Sequence, residues 1–318
     1  MRISIKMATI MPPHRVGMLV SRYIRKLGSI ILGAILIVSM SSLVWSGSAH
    51  ADAFGCYQGT GNPPICPDSS QPPLIGSMLG SKCVKGDSGD WHTTETVTGS
   101  DVTVLSFHGG NIETKTSQIS ADLQTLYNWN RYDFSGHVTN QDCKNLKSSL
   151  NPRCTVGDNY CILHITSTHF NDATALNLVK AHPRAVSIHG CGSSACSAST
   201  ICVGGRNIAT TQIADFRNYV DKYKGLVSGT LLTFDVPSNK GDSGAFCASN
   251  LAGDDTNNIV NKTLSGEGLQ LEISSDIRNR LASDLVQDDV LRGVVYGGVA
   301  RAMGELPVPL AIFKGSTS

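Results

Sequence analysis

Val102-Thr103-Val104-Leu105-Ser106-Phe107-His108-Gly109-Gly110-Asn111-Ile112-Glu113 is the stretch on which the fold turns. Residues 102–107 are β-branched or apolar with no charge, as in a buried strand. Gly109 and Gly110 stop the strand, because glycine reaches backbone angles closed to residues with a Cβ. A tight turn there folds Glu113 back beside His108, and an imidazole next to a carboxylate suits a divalent metal such as zinc. A strand that merely ends in His, before a helix that merely begins with Glu, would read the same. The metal reading therefore needs support from the rest of the chain.

Working outward, strands and helices alternate. A helix is predicted from Thr116-Ser117 as cap, with Ile119, Leu123 and Leu126 on one face. Residues 136–160 read as a polar, Cys-bearing loop. Cys161 to Thr168 is predicted as a second strand ending at His169, and Ala173–Lys180 as a short helix. Ala185-Val186-Ser187-Ile188 reads as a third strand, ending at His189-Gly190. A helix over about Thr211–Lys224 keeps Ile213, Phe216, Val220 and Tyr223 in register and stops at Gly225. Leu269–Ser274 is a further strand, and helix is predicted from about Asp276 to Met303. This alternation predicts an α/β fold with a mostly parallel or mixed sheet flanked by helices.

The first fifty-one residues read differently. Arg2, Lys6, Arg15, Arg22, Arg25 and Lys26 are followed by an apolar run, roughly Ile30 to Trp45, and then by Ala49-His50-Ala51. A basic region, an apolar region and an A-x-A site predict a secretory signal peptide over 1–51, and so a secreted protein. The apolar run is shorter than the ~20 residues of a spanning helix, so no stable membrane anchor is expected. Cleavage would remove six of the 26 basic residues and none of the 25 acidic ones, leaving a net charge of −5. Nucleic-acid binding, which calls for a basic face, is not indicated. Residues 52–90 form an irregular Cys-bearing lead-in, and 91–318 the α/β domain. All ten cysteines follow the cleavage site, an even count that predicts disulfides in an exported chain. A thiolate metal site is the alternative, though clear C-x-x-C pairs are missing. The pairing does not follow from spacing.

Sites in open α/β sheets form at the carboxyl ends of strands. Three predicted strands end in His, at 108, 169 and 189, and a fourth carries Glu272 between Leu271 and Ile273. A carboxylate on a buried strand is costly unless paired, so Glu272 asks for a cation or a partner. His108, Glu113 and His189 would make a two-His, one-carboxylate zinc site with an open position for water. Glu272 would be the general base, taking a proton from water and passing it to the leaving amine.

Five blocks, in order, now bear on the family: His108-Gly-Gly-Asn-Ile-Glu113-Thr-Lys-Thr-Ser117, Leu163-His-Ile-Thr-Ser-Thr-His169-Phe-Asn, Ala185-Val-Ser-Ile-His189-Gly190, Val203-Gly-Gly-Arg-Asn207 and Gly266-Glu-Gly-Leu-Gln-Leu-Glu272-Ile-Ser274. Over about residues 95–305 the chain resembles the phage-type poly-γ-glutamate hydrolases. The resemblance implies a core similar to that of the zinc carboxypeptidases. It implies Zn2+ on His108, Glu113 and His189, and Glu272 as the catalytic carboxylate. The implied substrate is a polyanionic peptide, poly-γ-glutamate. A zinc peptidase or amidase acting on another glutamyl or cell-wall peptide is the nearest alternative. A non-catalytic secreted binding module is the other. The chain departs from the family in its many cysteines, its Cys-containing lead-in, and Asn261-Lys262 in place of Asn-Arg.

The remaining signals are weaker. His169 is placed at the rim of the site, while His137, His164 and His182 read as structural or exposed. Arg206, Lys262 and Arg278 are candidates for holding substrate carboxylates, and each could equally form an ordinary ion pair. Gly-Asp-Ser-Gly occurs at 86–89 and 241–244 without the partners of serine catalysis, and reads as turn chemistry. Asn261-Lys262-Thr263 is a glycosylation sequon, but it falls beside a block that the resemblance puts near the site.

Overall fold

In the computed structural model, the described residues are 83–138, 143, 163–168, 170–206, 210–227, 233–235 and 247–309. Seven strands are present among them: β1 Trp91–Thr96, β2 Val102–Gly110, β3 Asn130–Gly136, β4 Arg184–Cys191, β5 Thr200–Gly204, β6 Thr233–Asp235 and β7 Leu269–Ser274. They form one sheet in the order β1-β3-β2-β4-β7-β5-β6. Neighbours from β3 through β2 and β4 to β7 run parallel. The β1–β3 and β5–β7 pairs are antiparallel, so the sheet is mixed, as expected.

Alternation sorts each strand between two cores. On the first face, Val104, Val186, Ile188, Leu271 and Ile273 pack against four helices. These are α1 (Thr116–Tyr127), α3 (Thr210–Tyr223), α4 (Ser275–Leu281) and α5 (Asp289–Ala302). Leu105, Phe107, Tyr132, Phe134 and Ala185 face the other way, onto α2 (Ala173–Lys180) and residues Leu163, Ile165, Phe170, Ile259 and Val260. Each fully buried Leu, Ile or Phe here contributes ~1.5–3 kcal/mol. Asp172 starts α2, its carboxylate accepting from Thr174 N at 3.0 Å and Ala175 N at 3.1 Å.

Two expectations need correcting. Residues 163–168 form no strand. Leu163 and Ile165 anchor them in the second core as an irregular turn lying over the sheet, and residues 161–162 lie outside the described residues. The helix predicted over 276–303 is two, α4 and α5, separated by residues 282–288.

Three disulfides are described: Cys83–Cys143, Cys191–Cys196 and Cys202–Cys247. The first spans 60 residues and, on chain-entropy grounds, is worth about 4 kcal/mol. Gly-Asp-Ser-Gly at 86–89 is a turn closed by Gly89 N donating to Gly86 O at 2.9 Å, and its second copy lies outside the described residues.

Candidate metal centre

His108 and Glu113 meet because β2 ends in a forced turn. Gly110 has φ +67°, and a Cβ on Gly109 would collide with Ser117, Ser135 and Asp133. Glu113 N donates to His108 O at 2.8 Å, and the β2–β3 register slips between Ser106 and Gly109. His108 Nδ1 then lies 2.9 Å from Glu113 Oε1. On β4, Gly190 N donates to Glu113 Oε2 at 2.6 Å, tying the carboxylate across the sheet. His189 completes the group, its Nδ1 3.2 Å from His108 Nδ1 and 3.7 Å from Glu113 Oε2.

The chemistry of these donors asks for a cation. His108 Nε2 lies 2.9 Å from the Ile165 carbonyl, which only accepts, so Nε2 carries hydrogen and Nδ1 is the nitrogen turned towards Glu113 and His189. Burial pushes His189 down to about 3, against the pull of Glu113, so its ring is neutral. Burial alone would push the Glu113 carboxyl up, but His108, by its charge and hydrogen bond, with His164 and His189 adding to it, holds it well below the usual range. Two imidazole nitrogens and a carboxylate thus converge in a buried cluster. Tetrahedral ligands at 2.0–2.2 Å from zinc lie ~3.3–3.6 Å apart, and the observed spacings bracket that range. The residues fit the ion.

His164, read from sequence as structural or exposed, belongs to this cluster. Its Nε2 is 3.2 Å from Glu113 Oε1, and its ring stands edge-on to His108 at 4.2 Å. The ligand atoms of His108, Glu113 and His164 all lie within 4.8 Å of one another. Only adjacency to Leu163 and Ile165, two apolar anchors, hinted at this. His182 is structural, near Leu178 O and Thr103 Oγ1, and His137 stacks on His92.

Glu272 sits beside His189. The two are direct partners in the parallel β4–β7 register, and Cys202 is the partner of Glu272 on its other side. Gln270 Nε2 donates to Glu272 Oε1 at 3.0 Å, while Gln270 Oε1 accepts from Asn258 Nδ2 at 2.7 Å. Asn258, Gln270 and Glu272 are all buried, so this chain fixes the carboxylate. Sequence reading missed Gln270 and Asn258, since neither carries a charge to mark it. Burial, and then the charge of Glu113, hold the Glu272 carboxyl well above the usual range, with Arg278 and Gln270 opposing. Two neighbouring buried carboxyls are thus pushed apart in acidity.

The candidate substrate cations lie in two places. Arg278 is buried against Gly190, with Nε donating to Thr114 O at 2.9 Å and Nη1 to Ile273 O. Arg206 and Lys262 are half-buried on adjacent loops, joined by Arg206 N donating to Asn261 Oδ1 at 3.1 Å. Asn261 is itself buried, its amide donating to Gly253 O and Asp255 O, so the sequon presents no free acceptor. His169 lies outside the described residues.

Comparison with known proteins places this sequence in a family. The sequence model of the family Poly-gamma-glutamate hydrolase matches residues 82–149, 154–221 and 235–290. The UPF0714 protein YndL of Bacillus subtilis (strain 168) is 32% identical over 196 residues, covering 61% of this chain and 62% of YndL. The SPbeta prophage-derived UPF0714 protein YoqZ of the same strain is 31% identical over 180 residues, covering 57% of this chain and 51% of YoqZ. The chain therefore spans between half and two thirds of these relatives. Among solved structures, a bacteriophage poly-gamma-glutamate hydrolase aligns with a TM-score of 0.49 at 21% identity, over 68% of this chain and 88% of that one. Zinc-free apo YndL aligns with a TM-score of 0.43 at 28% identity, over 60% and 75%. With matches over well more than half its length, this chain belongs to the poly-gamma-glutamate hydrolase family.

Proposed function

We propose that the protein is a secreted, zinc-dependent hydrolase that cleaves γ-glutamyl amide bonds, with poly-γ-glutamate as its substrate. The observation that carries this is the convergence of His108, His189 and Glu113 on one buried point, with Glu272 one strand away. His108 and His189, through Nδ1, and Glu113 would hold the ion. The naming of a zinc-free form of YndL is in keeping with that choice. When bound, zinc polarises a carbonyl and lowers the pKa of its water towards ~7.

The protein's own groups do the rest. Glu272 takes a proton from the attacking water and returns it to the leaving amine nitrogen, so the amide and water become a carboxylic acid and an amine. Its raised pKa brings it closer to neutrality, where such a group both accepts and gives. Gln270 and Asn258 hold it in place. Arg206, Lys262 and Arg278 would engage glutamate carboxylates, with His169 at the rim. Export by cleavage of residues 1–51 accords with the disulfides, and no helix among the described residues is long and apolar enough to cross a membrane.

The test is incubation of purified, metal-analysed protein with poly-γ-glutamate while chain length is followed. Shortening that stops on chelation and returns with zinc is expected. An unchanged chain length at full zinc loading would overturn the substrate.

A further inference from the structure

Three groups around the candidate metal centre have one source. His108 Nε2 donates to Ile165 O at 2.9 Å. His189 Nε2 lies 3.1 Å from Ser167 Oγ. His164 Nε2 lies 3.2 Å from Glu113 Oε1. A run of four residues, 164–167, thus touches all three proposed ligands, through a side chain, a main-chain carbonyl and a second side chain. We propose that this turn is the outer shell of the metal site, with His164 and Ser167 as positioning residues that set how tightly a divalent cation is held. The inference rests on the metal reading above.

The shape of the segment supports it. As a strand, 164 and 166 would face one way and 165 and 167 the other, with carbonyls in the sheet plane. As a turn, it aims His164, the Ile165 carbonyl and Ser167 at one cluster. Its anchors are firm: Leu163 and Ile165 are buried in the second core, and Ile259 N donates to Ser167 O at 3.1 Å.

Ser167 has a specific task. Without a cation, either tautomer of His189 can be satisfied, because a hydroxyl both donates and accepts. A cation at Nδ1 requires hydrogen on Nε2, and Ser167 Oγ is the acceptor in place. Removing it leaves a buried N–H unpaired and the ring free to choose the wrong tautomer. His164 acts on the carboxylate. Donation from its Nε2 to Oε1, opposite Gly190 N on Oε2, fixes the plane of Glu113. Outer-shell partners of this kind are worth about 10–100-fold in metal affinity.

The experiment is zinc competition against a chromophoric chelator, on the full mature chain, for wild type, Ser167→Ala, Ser167→Thr, His164→Ala and His189→Ala. Melting of each chelated protein is recorded alongside. We expect one tight zinc in wild type and none in His189→Ala. Affinity should be 10–100-fold weaker in Ser167→Ala and His164→Ala and within about threefold of wild type in Ser167→Thr, with any loss of zinc-free stability smaller than the loss in zinc binding. Wild-type affinity in either Ala variant removes that residue from the shell, and in both it overturns the proposal. Weaker binding matched by equal loss of zinc-free stability would mean support of the fold, and also overturns it. Full zinc retention by His189→Ala would instead bring down the metal reading itself.

Discussion

Replacing Glu272 by Gln should move activity and stability in opposite directions. The side chain is 7% exposed and accepts from Gln270 Nε2 at 3.0 Å. Gln fills nearly the same volume and can still accept that bond, so packing is kept. What disappears is a buried ionisable carboxyl facing the charge of Glu113. Because the folded carboxyl lies well above the unfolded value near 4.5, the folded chain keeps a proton that the unfolded chain has released. The associated stability is present below the unfolded value and falls as pH rises towards the folded one, by about 1.4 kcal/mol per unit of displacement. The variant escapes that loss, so it should melt at or above wild type, with an advantage that grows from pH 4 to pH 8. Turnover should fall by about 10²–10⁴-fold, which is about 2.7–5.4 kcal/mol on the barrier. Wild-type turnover should also decline with falling pH above the range of an ordinary carboxylate, and the residual turnover of the variant should lack that limb. Chain-length assays, zinc analysis and thermal scans on one preparation give every quantity. Near-wild-type turnover, or a lowered melting temperature with activity kept, refutes the reasoning.

Zinc-free protein should lose stability between pH 7 and pH 5, because the unfolded chain protonates His189 near 6.5 while burial holds the folded value to about 3. Linkage gives about 2 kcal/mol over that interval, so His189→Asn should flatten the urea-derived slope, and an equal slope in both proteins would count against it. Gln270→Leu should cut kcat by about 10–100-fold with KM and zinc content kept, the size expected for a hydrogen bond to a charged group, and steady-state kinetics will show whether KM moves instead. Gly190→Ala should lower stability by ~1–3 kcal/mol in denaturant titration, since the added Cβ would meet the Arg278 guanidinium. Thiol titration of denatured, unreduced protein should leave Cys83, Cys143, Cys191, Cys196, Cys202 and Cys247 unreactive.

How much of this was legible depended on whether the signal was local. The two glycines after His108 force a turn whatever packs against it, and a charge among Leu271 and Ile273 marks itself. His189 was readable as the end of an apolar run. Residues 161–168 misled because their Ile and Thr favour strands in general, while the deciding fact is that Leu163 and Ile165 anchor in the second core without joining a ladder. That error hid His164, whose place depends on the turn. β3 was not singled out because it carries Arg131 and Asp133, a pair 3.7 Å apart that offset each other's charge within the sheet. The insertion of β7 between β4 and β5, which sets Glu272 against His189, is a contact across more than eighty residues. No local pattern encodes it.

That insertion explains why one face of the sheet could take up chemistry. In β7, Leu269, Leu271 and Ile273 supply the first core, which leaves Gln270, Glu272 and Ser274 on the other face. A polar stripe buried there lowers stability unless each group is answered, and each is: Gln270 by Asn258, Glu272 by Gln270, and Ser274 by Thr200 N. The answers differ for the two carboxylates that matter. Glu113 receives Gly190 N and the imidazoles and stays an anion, the state a ligand needs. Glu272 receives one amide and the repulsion of Glu113, and is left reluctant to ionise, the state a proton carrier needs. One buried anion thus tunes the neighbouring carboxyl, and the division of labour proposed for them follows from their placement on neighbouring elements rather than from residue type.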